Sequence, residues 1–227
     1  MDSCEITRLV SNGPVRKLRT SRRCLTGKVA QSNQENAGFE SSLERDWLVA
    51  LDFDPSARVI RVQPFSIYYE ISGETRRYTP DVLVEYITPN GSVKTIVYEV
   101  KPQEELRDAW QNYHARFKAA VKFCRANGWR FKIVTEQHIR TPFVENAQFL
   151  RRYRNLKPQP LFAEQLLYTL RAVGETTPQA LLAAAYLDEQ KKMAALPELW
   201  RMVATRMIGT FLDKPLTMQT PLWLIKE

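Results

Sequence analysis

The stretch TIVYEVKP, residues 95–102, has the composition of a strand built for burial, except at its end. Ile96, Val97, Tyr98 and Val100 are β-branched or aromatic, the residue types that pack best on a pleated surface. Glu99 and Lys101 stand two positions apart, so both project from one face while Val100 turns its side chain to the other. An acid and a base side by side at the end of a buried strand need a reason, and the flanking sequence supplies one.

Upstream, RYTPDVLVEY (77–86) reads as a strand that forms a hairpin with VKTIVYEVK (93–101) around TPNGS. Asp81, in YTPD, lies near the start of the first strand. For it to share a face with Glu99 and Lys101, opposed residue numbers must sum to an even value such as 180 or 182. A two-residue Asn90-Gly91 turn would sum to 181 and put Asp81 on the wrong face, so the site requires an odd-length loop or a bulge near 87–92. Further back, FESSLERDWLVALDFD is helical, with Leu43, Trp47, Leu48 and Leu51 on one stripe. Glu44 falls in the middle of that apolar arc. An unpaired carboxylate there costs several kcal/mol, so a cation or metal is expected to face it.

These residue types form the parts list of metal-dependent phosphodiester hydrolysis. Hard carboxylate oxygens from two strands suit Mg²⁺, which keeps several waters and typically takes one or two carboxylates plus phosphate oxygens. Such a metal polarises a phosphodiester and lowers the pKa of an attacking water. A lysine beside it orients that water or neutralises charge building on the phosphate. Glu-x-Lys alone recurs by chance as a surface pair. It is the joint pattern that points to a nuclease: Pro-Asp on one strand, Glu-x-Lys on its hairpin partner and a core-facing glutamate upstream.

The rest of the chain frames this site. ARVIRVQ (57–63) and FSIYYEI (65–71) alternate as strands, and Gln63 is a further residue that could face the site. Residues 103–126 read as one long helix, with Leu106, Trp110, Tyr113, Phe117, Val121 and Cys124 on its apolar stripe. WRFKIVTE (129–136) is a strand and 143–155 a basic helix ending in RRYRN. The expected architecture is an α/β sandwich around one mixed sheet. KPQP (157–160) marks a boundary, followed by helices near 161–173, 178–193 and 197–211 and two short strands, PLTM and PLWLIK. Three helices and a hairpin suggest a winged-helix-like domain, with Leu199, Trp200, Val203, Met207 and Phe211 facing inward. That order invites DNA reading by Arg201 and Arg206, but residues 161–227 hold seven basic and seven acidic side chains. A neutral module fits protein docking better.

Composition sets the outer bounds. The 227 residues carry a net charge of +8, which favours a polyanionic partner, nucleic acid foremost. The excess lies before residue 161, and residues 1–38 form a loosely structured basic arm with Arg16, Lys17, Arg19, Arg22, Arg23 and Lys28 as candidate DNA contacts. Cys4, Cys24 and Cys124 include no C-x-x-C pair, and only His114 and His138 are present, which argues against a disulfide framework, a zinc site and a histidine cage. No apolar run reaches the roughly 20 residues of a membrane span, and MDSCEITRLV lacks the pattern of a signal peptide. A cytoplasmic, nucleoid-associated protein is expected.

Taken together, FESSLERDWLVALDFDPSARVIRVQP, RRYTPDVLVEY and YEVKP resemble the TnsA-type endonucleases of heteromeric cut-and-paste transposons. SRRCLTGKVAQS is similar to the segment that precedes the helix in their shorter, CRISPR-associated branch. The resemblance covers residues of about 16–155 and agrees in order and size beyond them. It implies a restriction-endonuclease-like (PD-(D/E)xK) core at 39–157, a winged-helix-like partner-docking domain at 161–227, and nicking of the 5′ strands at both transposon ends. It implies a TnsB-type transposase cutting and joining the 3′ strands and a TnsC-type ATPase regulating both. Carried over by motif, the catalytic residues are Glu44, Asp81, Glu99 and Lys101. Mg²⁺, with Mn²⁺ able to substitute, would be held by Asp81, Glu99 and the Val100 carbonyl. A stand-alone restriction or repair nuclease of the same fold, or a non-cleaving DNA-binding adaptor, are the alternatives. All the acids needed for cutting are present.

Overall fold

A computed structural model describes residues 6–10, 27–29, 37–39 and 41–225, and the chain divides into two compact units, 1–140 and 141–227.

The first unit opens with three short strands, β1 (Ile6–Val10), β2 (Gly27–Val29) and β3 (Ala37–Phe39). The arm expected over residues 1–38 to be loosely structured therefore contains strands: β1 pairs antiparallel with β5 (Ser66–Ile71), and β2 pairs with β3. An added edge strand is held by backbone hydrogen bonds, which leave little trace in composition. Arg16, Lys17, Arg19, Arg22 and Arg23 lie outside the described residues, and Lys28 lies on β2. Helix α1 (Ser42–Phe53) follows, capped by Ser41, whose side chain accepts from the Glu44 N–H. It buries Leu43, Leu48, Leu51 and Phe53.

Two larger sheets follow rather than the single one expected. The stretch 77–86 does not run as one strand: β6 (Glu74–Tyr78) ends, Thr79-Pro80-Asp81 intervene, and β7 (Val82–Ile87) begins. Proline cannot donate to a ladder, and at Pro80 the chain passes from one sheet to the other. β6 completes the antiparallel order β1-β5-β6, while β7 sits between β4 (Ala57–Val62) and β8 (Val93–Val100) in the order β4-β7-β8-β9. The last strand, β9 (Arg130–Val134), is parallel to β8, so this sheet is mixed.

The helix expected at 103–126 is split at Ala109 into α2 (Gln103–Asp108) and α3 (Trp110–Ala126). Tyr113, Phe117, Phe123 and Cys124 of α3 pack in one core with Phe65, Ile67, Tyr69, Tyr78, Leu83 and Val97. Trp110, placed on that apolar stripe by periodicity, is the first residue of α3 and 44 % exposed, with its ring 6.2 Å from that of Phe117. The short α4 (Glu136–Ile139) closes the unit.

The second unit begins earlier than the proline-rich boundary at 157–160 suggested. Helix α5 (Pro142–Arg154) belongs to it, packing on α8 (Glu189–Ala204), with the Phe149 and Trp200 rings edge to face at 5.4 Å. Helices α6 (Pro160–Val173) and α7 (Pro178–Ala185) start with proline in the first turn, where the missing N–H costs nothing. The helix boundaries expected at 193 and 197 fall elsewhere. Asp188 caps α8 by accepting from the Gln190 N–H, and Pro197 lies inside the helix rather than at its start. Leu199, Trp200 and Val203 are buried as the stripe required, whereas Met207 and Phe211 lie beyond the helix and are 41 % and 47 % exposed.

The terminal hairpin is formed by β10 (Ile208–Thr210) and β11 (Leu222–Leu224), not by PLTM. Segment 212–216 is held by a side chain instead. Asn146 of α5 donates to the Leu212 and Lys214 carbonyls at 2.9 and 2.7 Å and accepts from the Leu216 N–H at 3.0 Å. Backbone groups so occupied are not available to a ladder. Gly209 lies against the Trp223 ring, which any Cβ there would overlap.

Candidate active site

The β7–β8 hairpin settles the register. Val82 pairs with Tyr98 and Ile87 with Val93, so opposed numbers sum to 180. The loop between them, 88–92, is five residues long, with Gly91 at φ +80 and the Thr88 N–H donating to the Ser92 carbonyl at 2.9 Å. This is the odd-length loop the site demands. Continued by one residue, the register sets Asp81 opposite Glu99, and side chains opposite each other in an antiparallel pair share a face.

Asp81 is held from two sides. Its carbonyl accepts from the Gln63 N–H at 2.7 Å, prolonging the β4–β7 pairing beyond Val62↔Val82, and its Oδ2 accepts from the Val100 N–H at 2.7 Å. Gln63 meets the first bond with φ +47, a left-handed conformation uncommon outside glycine. It is buried, and its backbone N–H is what meets Asp81. The second bond is a carboxylate completing a ladder that β7 is too short to continue. On an extended strand a residue's N–H and C=O point the same way. The Val100 carbonyl is therefore directed toward the same edge as the Asp81 carboxylate.

Glu99 is 3 % exposed. The Tyr78 hydroxyl donates to its Oε2 at 2.6 Å, and Lys101 Nζ lies 3.5 Å from its Oε1. Burial, and after it the charge of Asp81, push Glu99 well above the ordinary carboxylate range, against the pull of Lys101 and Arg116. Burial alone would lower Lys101, but the carboxylates of Asp81, Glu99, Glu105 and Glu44 outweigh it and raise its pKa. The lysine is a fixed cation. Its backbone N–H donates to the Val134 carbonyl on β9, which anchors the strand end from the opposite side.

Glu44 enters the same electrostatic field, since its charge is among those acting on Lys101. Its local setting differs from the one periodicity suggested. Because α1 starts at Ser42, Glu44 lies in the first helical turn, is only half-buried, and accepts from the Ser41 hydroxyl at 3.3 Å. A carboxylate there is favoured by the helix dipole and needs no metal to explain it. The neighbouring Arg45 is bound to Asp46 through two bonds of 2.7 and 2.9 Å.

The structure thus brings Asp81, Glu99, the Val100 backbone and Lys101 to one strand end, with Glu44 nearby. Sequence reasoning missed Tyr78, whose signal was weak: a tyrosine three residues before a Pro-Asp aspartate reads as a core aromatic. Among the described residues no group of three or more His, Cys, Asp or Glu side chains gathers into a metal cage. The donor set is two opposed carboxylates and a backbone carbonyl. That set is too sparse for a closed structural site and fits a cation that keeps several waters. Two carboxylates facing each other in a buried place, one already pushed toward its neutral form, are the arrangement a divalent cation relieves.

In the second unit, Arg201 does not face outward. It is 8 % exposed and bound to Glu198, Nε to Oε2 at 2.9 Å and Nη2 to Oε1 at 2.7 Å. It has no part in a groove-reading surface. No helix among the described residues is long and apolar enough to cross a membrane.

No curated protein matches the chain. Two family models do: TnsA-like endonuclease N terminal, over residues 54–136, and TnsA endonuclease C terminal, over 138–210. The first spans Asp81, Glu99 and Lys101, the second most of the second unit, and the chain belongs to the TnsA family of transposon endonucleases.

Proposed function

We propose that this chain is a Mg²⁺-dependent DNA endonuclease that nicks the 5′ strands at transposon ends, acting with a TnsB-type transposase and a TnsC-type ATPase. The observation that carries the reading is the register that sets Asp81 opposite Glu99, with Lys101 on the same face. In this reading the first unit is restriction-endonuclease-like and the second winged-helix-like. Asp81, Glu99 and the Val100 carbonyl hold Mg²⁺, or Mn²⁺ in its place. Held there, Mg²⁺ would supply Lewis-acid polarisation of a phosphodiester and a water of lowered pKa. Lys101, held charged by four carboxylates, orients that water and offsets charge developing on the phosphate. Glu44 keeps its carboxylate within the field of Lys101 from the first turn of α1.

DNA is held elsewhere, by the basic N-terminal arm of Arg16, Lys17, Arg19, Arg22, Arg23 and Lys28. Residues 161–227 dock on the ATPase. Support comes from the burial of Arg201 in an ion pair and from the zero net charge of residues 161–227. Helix α5 and the turn after it add Arg151, Arg152, Arg154 and Lys157 to the second unit, a positive end suited to DNA lying alongside.

The test is separation of cutting from binding. Asp81→Ala or Glu99→Ala should take 5′-strand nicking to background in a reconstituted transposase reaction, with DNA affinity and complex assembly retained. Unimpaired nicking by either variant would sink the proposal.

A further inference from the structure

Tyr78 is the last residue of β6 and 5 % exposed, opposite Ile67 on β5, with its ring edge-on to Phe117 at 6.3 Å. Three residues later the same segment delivers Asp81. Between them Thr79 Oγ1 lies 2.9 Å from Ser66 Oγ, which ties the segment to the start of β5. Residues 78–81 therefore grip the end of β8 at two points: the Tyr78 hydroxyl on Glu99 Oε2 at 2.6 Å, and Asp81 Oδ2 on the Val100 N–H at 2.7 Å. At 2.6 Å the Tyr78 bond is at the short end for a hydroxyl donor on a carboxyl oxygen.

We propose that Tyr78 is a positioning residue of the nuclease site: by holding Oε2 of Glu99 it leaves Oε1 as the one oxygen offered to a divalent cation, which favours Mg²⁺ over Ca²⁺. The inference rests on the metal-dependent reading above. Its physical basis is the difference between the two ions. Mg²⁺ demands near-ideal octahedral geometry and takes a carboxylate through one oxygen, whereas Ca²⁺ accepts six to eight ligands and readily binds both oxygens. With Oε2 held by Tyr78, Glu99 has one oxygen, Oε1, to share between Lys101 at 3.5 Å and a cation, and ligation through one oxygen suits the first ion better than the second. The tyrosine is fixed in turn by the ladder on β5 and the ring of Phe117, so the restraint does not depend on a mobile side chain.

The experiment measures metal binding to the intact, DNA-free protein by titration calorimetry with Mg²⁺ and with Ca²⁺. Tyr78→Phe keeps the ring and removes only the hydroxyl. Tyr98→Phe is the control: Tyr98 is also buried and precedes Glu99 on β8, but its hydroxyl meets that of Tyr86 at 2.9 Å on the other face. Tyr78→Phe should weaken Mg²⁺ binding about 10- to 100-fold, the usual effect of removing a group that orients a metal ligand. Its loss of Ca²⁺ affinity should be smaller, and Tyr98→Phe should change neither. Unchanged binding in Tyr78→Phe, or equal losses for both ions, would overturn the assignment while leaving the metal-dependent reading intact. No binding of either ion to the unmodified protein would overturn that reading as well. Should Tyr78→Phe fail to fold, the unmodified protein decides: it should bind Mg²⁺ more tightly than Ca²⁺ in the same titrations, and Ca²⁺ binding as tight or tighter would refute the proposal.

Discussion

Each unit of this chain buries a glutamate beside a cation, and the two pairs are built differently. In the second unit Glu198 and Arg201 lie one helical turn apart on α8, joined by two hydrogen bonds of 2.7 and 2.9 Å. The same carboxylate also accepts from the Gln159 N–H at 3.1 Å, just before α6. Charge matches charge, and the planar guanidinium meets the carboxylate fork to fork. In the first unit Glu99 has a lysine only at 3.5 Å and a second carboxylate, Asp81, opposite it. One arrangement is complete in itself. The other sets two carboxylates against each other with a lysine 3.5 Å from one of them, and burial together with Asp81 pushes Glu99 up.

The sharpest way to break this comparison is to remove one partner from the complete pair. Deleting one member of a buried ion pair leaves the other charge unmatched and typically costs about 3–5 kcal/mol. Glu198→Ala should therefore lower the denaturant midpoint of the second unit more than the loss of any neutral hydrogen bond in it, followed in the full-length protein by Trp200 fluorescence. The double variant Glu198→Met, Arg201→Met should recover much of that loss, because no buried charge remains. If the double variant unfolds as easily as the single, the pair is not the self-contained unit described.

A smaller effect is expected where the second unit relies on neutral hydrogen bonds. Asn146 serves three backbone groups of segment 212–216 and is itself 5 % exposed. Asn146→Ala leaves those groups to find water, for a cost of about 2 kcal/mol. Hydrogen exchange at the Leu216 amide should speed up selectively. Protection unchanged at that amide would show that the asparagine follows the segment rather than holding it.

The strands of the candidate site were legible in the sequence because alternation and the even-sum condition are local and strict. Given Asp81, Glu99 and Lys101 on one face, an odd-length loop or a bulge must close the hairpin, and 88–92 is such a loop. What failed to show was set by tertiary context. Pro80 looked like a residue early in a strand, and nothing local says that it marks the passage between two sheets. The ends of α7 and α8 misled for a similar reason: Pro197 resembles a helix start, yet it is tolerated within α8, whose start is fixed by the Asp188 cap. The setting of Glu44 was misread by three residues of helix boundary. Starting α1 at Ser42 turns an apparently stranded core carboxylate into one served by Ser41 and the helix dipole.

The cap at the start of α1 can be tested in the same way. Ser41→Ala removes both the acceptor for the Glu44 N–H and the hydroxyl that donates to its carboxylate. The expected cost is about 1 kcal/mol, as for other lost N-caps. If Glu44 also serves the site, nicking in Ser41→Ala should fall at temperatures where the protein remains folded. A variant as active as the unmodified chain would leave Glu44 as a capping partner only.

The smallest change in stability is expected at the other buried glutamate, and there the comparison is sharpest. Glu99→Gln removes a charge that burial and Asp81 both oppose, while the amide keeps the shape of the side chain and an acceptor for the Tyr78 hydroxyl. The attractions given up are those of Lys101 at 3.5 Å and of Arg116, and Lys101 still has Asp81, Glu105 and Glu44 around it. In metal-free buffer the stability should therefore stay within about 0.5 kcal/mol of the unmodified protein or rise, where Glu198→Ala loses several. Nicking and Mg²⁺ binding should nevertheless collapse, since a neutral amide oxygen is a poor substitute for a carboxylate on a hard cation. Stability kept while function is lost is the trade a site makes when its charges are arranged for a ligand rather than for the fold. A Glu99→Gln protein destabilised as much as Glu198→Ala would mean that Glu99, too, is held in place by its own cation, and the contrast between the two units would be gone.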